Sequence, residues 1–171
     1  MAIVWRESST VEKEVNLPAG WRFDPTDVEL IQFYLTKIVA REPLPANVMK
    51  EIDAHHFYQH HPQDLVHDSM RLYDEYFLVH GDEYFHGKIN NMKLVCEGDV
   101  GSWRSLGNEE EIVDMNGNVV IAFKIHYTFF YPESKGTNWT MELYRLPVPR
   151  NEEASGREEW VVARIGGAEE C

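Results

Sequence analysis

Leu17-Pro18-Ala19-Gly20-Trp21-Arg22-Phe23-Asp24-Pro25-Thr26-Asp27-Val28-Glu29-Leu30 joins a rigid turn, an aromatic–basic–aromatic extended stretch and a helix start. Pro18 and Pro25 each fix φ and bias the residue before them towards extended backbone. Gly20 permits a turn that residues bearing a Cβ resist. Thr26 followed three residues later by Glu29 is the pattern of a capping box, in which each side chain accepts from the other's backbone N–H. Beyond it, Leu30, Ile31, Tyr34, Leu35 and Ile38 recur at helical spacing. The stretch therefore predicts an amphipathic helix entered through a fixed turn.

Working outward, residues 1–16 form a polar lead-in. Pro43 and Pro45 end the helical pattern, and a short second helix is expected through Val48, Met49 and Ile52. Residues 53–68 are polar and histidine-rich and read as a loop with a helical turn. The texture then changes to strands. Tyr73 to His80 is aromatic and β-branched, and Gly81-Asp82 turns it. Tyr84-Phe85 restarts, with Gly87 and Asn90-Asn91 as turn signals. Lys93 to Cys96 and Gly101 to Leu106 read as a broken or bulged pair. Glu111 to Tyr131 is the clearest hairpin, with Asn116-Gly117 predicting a type I′ turn. Thr137 to Leu146 and Glu158 to Ile165 are the last strands, separated by Pro147, Pro149 and the acidic stretch Asn151 to Glu159. Helices first and antiparallel strands after indicate an α+β fold, with the helices segregated from one twisted sheet. The expected domain spans residues 17–166, followed by a short tail at 167–171.

Composition narrows the function classes. A chain of 171 residues with 43% hydrophobic and 12% aromatic content can bury a real core. No apolar run reaches membrane-spanning length, so no membrane partner is expected. The N-terminus lacks a signal-peptide layout, and the two cysteines, Cys96 and Cys171, provide no disulfide framework. An intracellular compartment is expected. Against 29 acidic residues stand only 16 lysines and arginines, a net charge of −13. Nucleic-acid binders draw much of their affinity from phosphate neutralisation, so binding by so acidic a chain requires a local basic patch.

Catalytic chemistry is not signalled. His55, His56, His60, His61 and His67 lie near Asp53 and Asp64, and His56 and His60 have the i, i+4 spacing of a zinc pair. No His-Glu-x-x-His motif accompanies them, and the segment reads as a solvated polar stretch rather than a metal site. No phosphate-binding glycine loop, nucleophile elbow or cysteine–histidine signature occurs. Trp139, Tyr144 and Trp160 sit in strand patterns and read as core. No enzyme activity, cofactor or small-molecule substrate is expected.

The opening stretch resembles the first block of the plant NAC domain, Leu-Pro-Pro-Gly-Phe-Arg-Phe-x-Pro-Thr-Asp-Glu-Glu-Leu, departing from it at Ala19, Trp21 and Val28. Four further blocks follow in order. Glu51-Ile52-Asp53 with Pro62 and Leu65 resembles the second. The third runs from Asp74-Glu75-Tyr76-Phe77-Leu78 to Gly101-Ser102-Trp103-Arg104-Ser105-Leu106-Gly107, where the family ends Gly-Tyr-Trp-Lys-Ala-Thr-Gly. The fourth, Ala122 to Leu146, ends Thr137-Asn138-Trp139-Thr140-Met141-Glu142-Leu143-Tyr144-Arg145-Leu146. The fifth is Glu159-Trp160-Val161-Val162-Ala163-Arg164-Ile165. The resemblance implies a twisted antiparallel β-sheet packed between a few helices, in a nuclear transcription regulator that binds double-stranded DNA as a dimer. It also implies a long regulatory tail beyond the fifth block, so the sequence is either a truncated piece or a naturally short protein.

What the resemblance implies about sites follows residue by residue. The dimer interface falls on Leu17, Pro18, Gly20, Arg22 and Glu29, with Arg22 and Glu29 pairing across a two-fold axis in a homodimer or a heterodimer with other NAC proteins. A monomer with an ordinary capped helix is the alternative. The DNA-reading strand falls on Trp103, Arg104, Ser105 and Gly107, supported by Lys88, Lys93, Lys124 and His126. Arg104 replaces the family's lysine and keeps the charge. From Glu97 to Asn118 there are six acids and one base, Arg104, and the run Glu109-Glu110-Glu111 is expected to repel a phosphate backbone. Two functions stay open: a DNA-binding regulator, or a dimerisation module that has lost DNA binding and sequesters other family members.

Overall fold

The computed structural model describes residues 23–66, 74–81, 93–95, 100–105, 109–147 and 160–167, with backbone alone for 93–95. The capping box forms as the sequence predicts. Glu29 Oε1 accepts from Thr26 N–H at 3.0 Å, and Thr26 Oγ1 accepts from Glu29 N–H at 3.2 Å. The helix that follows runs as α1 (Asp27–Leu30), a wider π-helical turn (Ile31–Leu35) and α2 (Thr36–Val39). Within the wide turn the Thr36 N–H reaches back to Ile31 O. Such turns insert a residue into the helical phase. Ile31, Tyr34 and Leu35 stay buried, while Phe33 remains 47% exposed.

Among the described residues eight strands form one sheet: β1 (Lys50–Asp53), β2 (Glu75–His80), β3 (Lys93–Val95), β4 (Ser102–Ser105), β5 (Glu110–Val113), β6 (Val120–Phe130), β7 (Gly136–Arg145) and β8 (Trp160–Gly166). Their order is β1-β2-β8-β7-β6-β4-β3, with β5 also paired to β6. All pairs are antiparallel except β1 with β2, which is parallel, so the sheet is mixed rather than purely antiparallel.

Side chains alternate across a strand, and this sheet obeys that period on both faces. Phe77, Val79, Ile125, Tyr127, Phe129, Trp139, Met141, Leu143, Val161, Ala163 and Ile165 share one core with Trp103. Tyr76, Leu78, Ala122, Tyr144 and Val162 face the other way, onto Leu30, Ile31, Tyr34 and Leu35 of the N-terminal helix. The first core is covered by α3 (Ala54–Gln59) and α4 (Pro62–Leu65), through Phe57, Tyr58 and Leu65. The sheet therefore lies between helices. Each fully buried side chain of this size contributes about 1.5–3 kcal/mol relative to exposure.

Three local expectations need correction. The segment around Val48 to Ile52 is a strand, not a helix, because Lys50–Asp53 finds a partner in β2, with Ile52 opposite Val79. Residues 54–65 are more helical than a loop. Asp53 caps α3 by accepting from the His55 and His56 N–H groups, and Pro62 opens α4 at a position where a missing N–H costs nothing. The β5–β6 connection is not a type I′ turn, since Gly117 has φ 73 but Asn116 keeps a negative φ. Asp114 closes it instead, its carbonyl accepting from Gly117 N–H and its carboxylate from Asn118 N–H. The readings at Tyr84-Phe85, Gly87, Asn90-Asn91 and 151–159 lie outside the described residues.

Candidate nucleic-acid interface

Neighbouring residues of β4 serve opposite sides of the sheet. Trp103 pairs in register with Phe129, and its indole is wholly buried in the first core, edge-on to the Phe129 ring. It anchors the strand and presents no side-chain surface to a ligand. Gly101 admits this strand with φ 146, and a Cβ there would collide with the Phe129 ring and the Phe130 carbonyl. Ser105 pairs with Tyr127 on the same side as Trp103.

Arg104 pairs with Thr128 on the opposite face. Its guanidinium lies 4.5 Å from the centroid of the Phe130 ring. Nη2 donates to Ser134 Oγ at 3.0 Å, and Nε donates to Ser102 Oγ at 3.4 Å. Arg104 makes no ion pair among the described residues. A planar guanidinium stacked on an aromatic ring and held by hydroxyls is oriented, and no carboxylate among the described residues compensates it. The backbone register places Lys93 of β3 opposite Arg104. Lys135 is exposed in the β6–β7 turn beside Ser134. Arg104, Lys93 and Lys135 thus gather where β3, β4 and this turn meet, with the exposed Glu133 as the acid of the same turn.

The same face is different a few residues along β6. Lys124 Nζ lies 2.7 Å from Asp27 Oδ2 and 3.7 Å from Glu110 Oε2, and its side chain is only 16% exposed. Burial would lower its pKa, but the Asp27 hydrogen bond and the charges of Asp27, Glu142 and Glu110 together raise it. Offered by the sequence as a phosphate contact, Lys124 instead ties the N-terminal helix to the sheet. The Tyr144 hydroxyl joins this tie, 3.0 Å from Asp27 Oδ1 and 2.7 Å from Glu142 Oε2, and burial followed by Glu142 pushes its pKa up. His126 stands between Glu110 Oε2 at 3.4 Å and Glu142 Oε1 at 3.6 Å, so acids surround it too.

The acidic run is also less exposed to an incoming phosphate than its sequence suggests. Glu109 is held by Arg145 in a bidentate pair, Nε to Oε1 at 2.7 Å and Nη2 to Oε2 at 3.0 Å, with both side chains nearly buried. Arg145 also covers the Phe123 ring at 4.5 Å. Glu110 is engaged by Lys124 and His126, as above. Of the three glutamates expected to repel a phosphate, Glu109 is withdrawn from the surface, Glu110 is exposed but paired, and Glu111 is exposed.

Of the remaining site residues, Lys88, Gly107, Leu17, Pro18, Gly20 and Arg22 lie outside the described residues. Glu29 is described, and the Thr26 backbone N–H holds its carboxyl below the usual value. Oε1 carries the capping bond, and Oε2 makes no hydrogen bond among the described residues. Sequence reasoning missed Ser134, Phe130 and the Glu109–Arg145 pair. No local signal brings Ser134 to Arg104, 30 residues earlier. Among the described residues, no group of three or more histidine, cysteine, aspartate or glutamate side chains is placed to hold a metal ion. His56 and His60 do meet, with ring centroids 4.2 Å apart. No helix among the described residues is long and apolar enough to cross a membrane.

The sequence that folds into this α+β arrangement has known relatives. Residues 18–146 match the family model for the No apical meristem (NAM) protein. Over 164 residues the chain is 32% identical to NAC domain-containing protein 68 of Oryza sativa subsp. japonica, covering 90% of this chain and 49% of that one. It is 33% identical over 165 residues to Protein ATAF2 of Arabidopsis thaliana, covering 91% and 55%. NAC transcription factor 32 of Arabidopsis thaliana is 31% identical over 160 residues, covering 89% and 60%. The chain belongs to the plant NAC domain family, and it spans roughly half the length of the curated relatives it matches.

Proposed function

We propose that this chain is a transcription-regulatory NAC domain, spanning residues 17–166, that binds double-stranded DNA as a dimer in the nucleus. It acts as a binding protein, not an enzyme. The observation that carries the reading is Arg104, oriented by Phe130 and Ser134 and without an ion pair among the described residues. Lys93 and Lys135 supply further charge at that end of the sheet, with Lys88 and Gly107 completing the expected strand surroundings. The pairing surface is Leu17, Pro18, Gly20, Arg22 and Glu29, and Glu29 keeps one carboxylate oxygen for Arg22 of a second copy or of another NAC protein. An arginine aimed at a duplex can reach a phosphate or the O6 and N7 of guanine.

Fluorescence anisotropy with labelled duplex DNA, titrated across salt concentrations, tests the DNA reading. Arg104→Glu should abolish binding while leaving sedimentation unchanged. Absence of wild-type binding even at low salt, with dimers intact, would establish the second reading. That second reading is a pairing module that sequesters other family members without holding DNA. It is favoured by one specific observation: Lys124 and His126, two of the expected basic contacts, already face carboxylates of their own chain. For the dimer, Arg22→Glu should weaken association, and adding Glu29→Arg should partly restore it. A monomer at every accessible concentration sinks this interface.

A further inference from the structure

We propose that Ser134 is a phosphate-acceptor site, and that its phosphorylation draws Arg104 into an internal ion pair and off DNA. The inference rests on the reading of Arg104 as the DNA-facing cation. Ser134 is exposed, in the turn that joins β6 to β7, and its Oγ already accepts from Arg104 Nη2 at 3.0 Å. The guanidinium cannot easily swing away, since Phe130 lies against it at 4.5 Å and Ser102 Oγ accepts from Nε.

The chemistry is phosphoryl transfer from ATP by a protein kinase. Ser134 Oγ attacks the γ-phosphorus, an O–P bond forms, the bond from that phosphorus to the bridging oxygen breaks, and ADP leaves. The hydroxyl proton passes to a base of the kinase. Seating the serine in a kinase cleft opens two backbone hydrogen bonds, Ser134 N–H to Tyr131 O and Tyr131 N–H to Lys135 O. Once in place, the phosphate brings close to two negative charges and three strong acceptors to a cation that already touches its oxygen. A hydrogen bond with one ionised partner becomes an ion pair between two charged groups, bidentate where the guanidinium edge allows. Lys135, the next residue, faces the same dianion. Arg104, Lys93 and Lys135 stand against the exposed Glu133, so the added charge brings this end of the sheet to near neutrality, and an approaching duplex loses the attraction that Arg104 supplied.

Three measurements decide the matter. Phosphoserine installed at position 134 by genetic encoding should show, by phosphorus NMR titration, a second ionisation at lower pH than in the Arg104→Gln background. That readout needs no DNA. Binding to fluorescein-labelled random-sequence duplex DNA at low salt should fall about tenfold or more, with the salt slope reduced by about one unit. Incubating the unmodified protein with plant cell extract and ATP should place phosphate on Ser134, located by mass spectrometry, and the label should vanish from this peptide in Ser134→Ala. Identical titrations in both backgrounds overturn the ion pair. Equal DNA affinity of modified and unmodified protein overturns the switch. An unlabelled Ser134 overturns the acceptor assignment. If the unmodified protein binds no DNA at all, the failure belongs to the functional reading, and the switch falls with it.

Discussion

Arg104 and Lys124 point from the same face of the same sheet, and their surroundings in space invert their surroundings in sequence. Arg104 is the only base between Glu97 and Asn118, among six acids, yet no carboxylate pairs with it among the described residues. Lys124 sits in the apolar strand Val120–Phe130, yet it meets Asp27 and Glu110. The reason is direction. Strand alternation and pairing register choose which side chains share a surface, and a charge one residue away along the chain points to the other side. Glu109 turns to Arg145 and Glu110 to Lys124 and His126, so two of the three glutamates help hold β5 onto β6 and β7. A count of local charge therefore misjudges both ends of this face.

Trp103→Ala should cost about 4 kcal/mol, because it removes a wholly buried indole and leaves a cavity. Denaturant unfolding reads this directly, and an unchanged midpoint would mean that Trp103 is not the anchor that fixes Arg104 on the other face. Glu109→Ala should cost about 3 kcal/mol by leaving the Arg145 guanidinium nearly buried and unpaired. A loss below about 1 kcal/mol would class the pair with ordinary surface bridges.

The third test separates the two cations. Arg104→Gln should reduce the slope of log affinity against log salt by about one unit, whereas Lys124→Gln should leave the slope alone and reduce stability instead. Equal slope losses would show that Lys124 leaves Asp27 to reach DNA. The smallest effect concerns pH. The Thr26 N–H lowers the Glu29 pKa, so the unfolded state binds that proton more readily than the folded one. The stabilisation is complete above the ordinary glutamate value and is lost as pH falls through the lowered one. Stability of Glu29→Ala should therefore lie slightly below wild type near neutrality and converge with it in acid. Parallel curves throughout would remove the carboxylate from the cap.

Much of the fold was legible because it rests on local rules. The capping box, the helix after it, the partition of apolar residues between two faces and most strand boundaries follow from spacing that the backbone imposes. The errors came where a partner far along the chain decided. Lys50–Asp53 became a strand through parallel pairing with β2, which no residue within it announces. Asn116 kept a negative φ because Asp114 closes the turn in another way. Asp27 read as part of a helix start, and its bonds to Lys124 and Tyr144 span 97 and 117 residues.

By itself, then, the sequence determined the family, the α+β class, the helix entry at Thr26 and the presence of a lone cation within an acidic stretch. Those depend on short-range sterics, hydrogen-bond geometry and periodicity, all written in neighbouring residues. Only the tertiary structure decided which charges are already satisfied. Ion pairing depends on distance through space, and folding sets that distance by register between strands remote in sequence. That is why Lys124 binds the first helix to the sheet, while Arg104 is held in place by Phe130 and Ser134 with its charge uncompensated among the described residues.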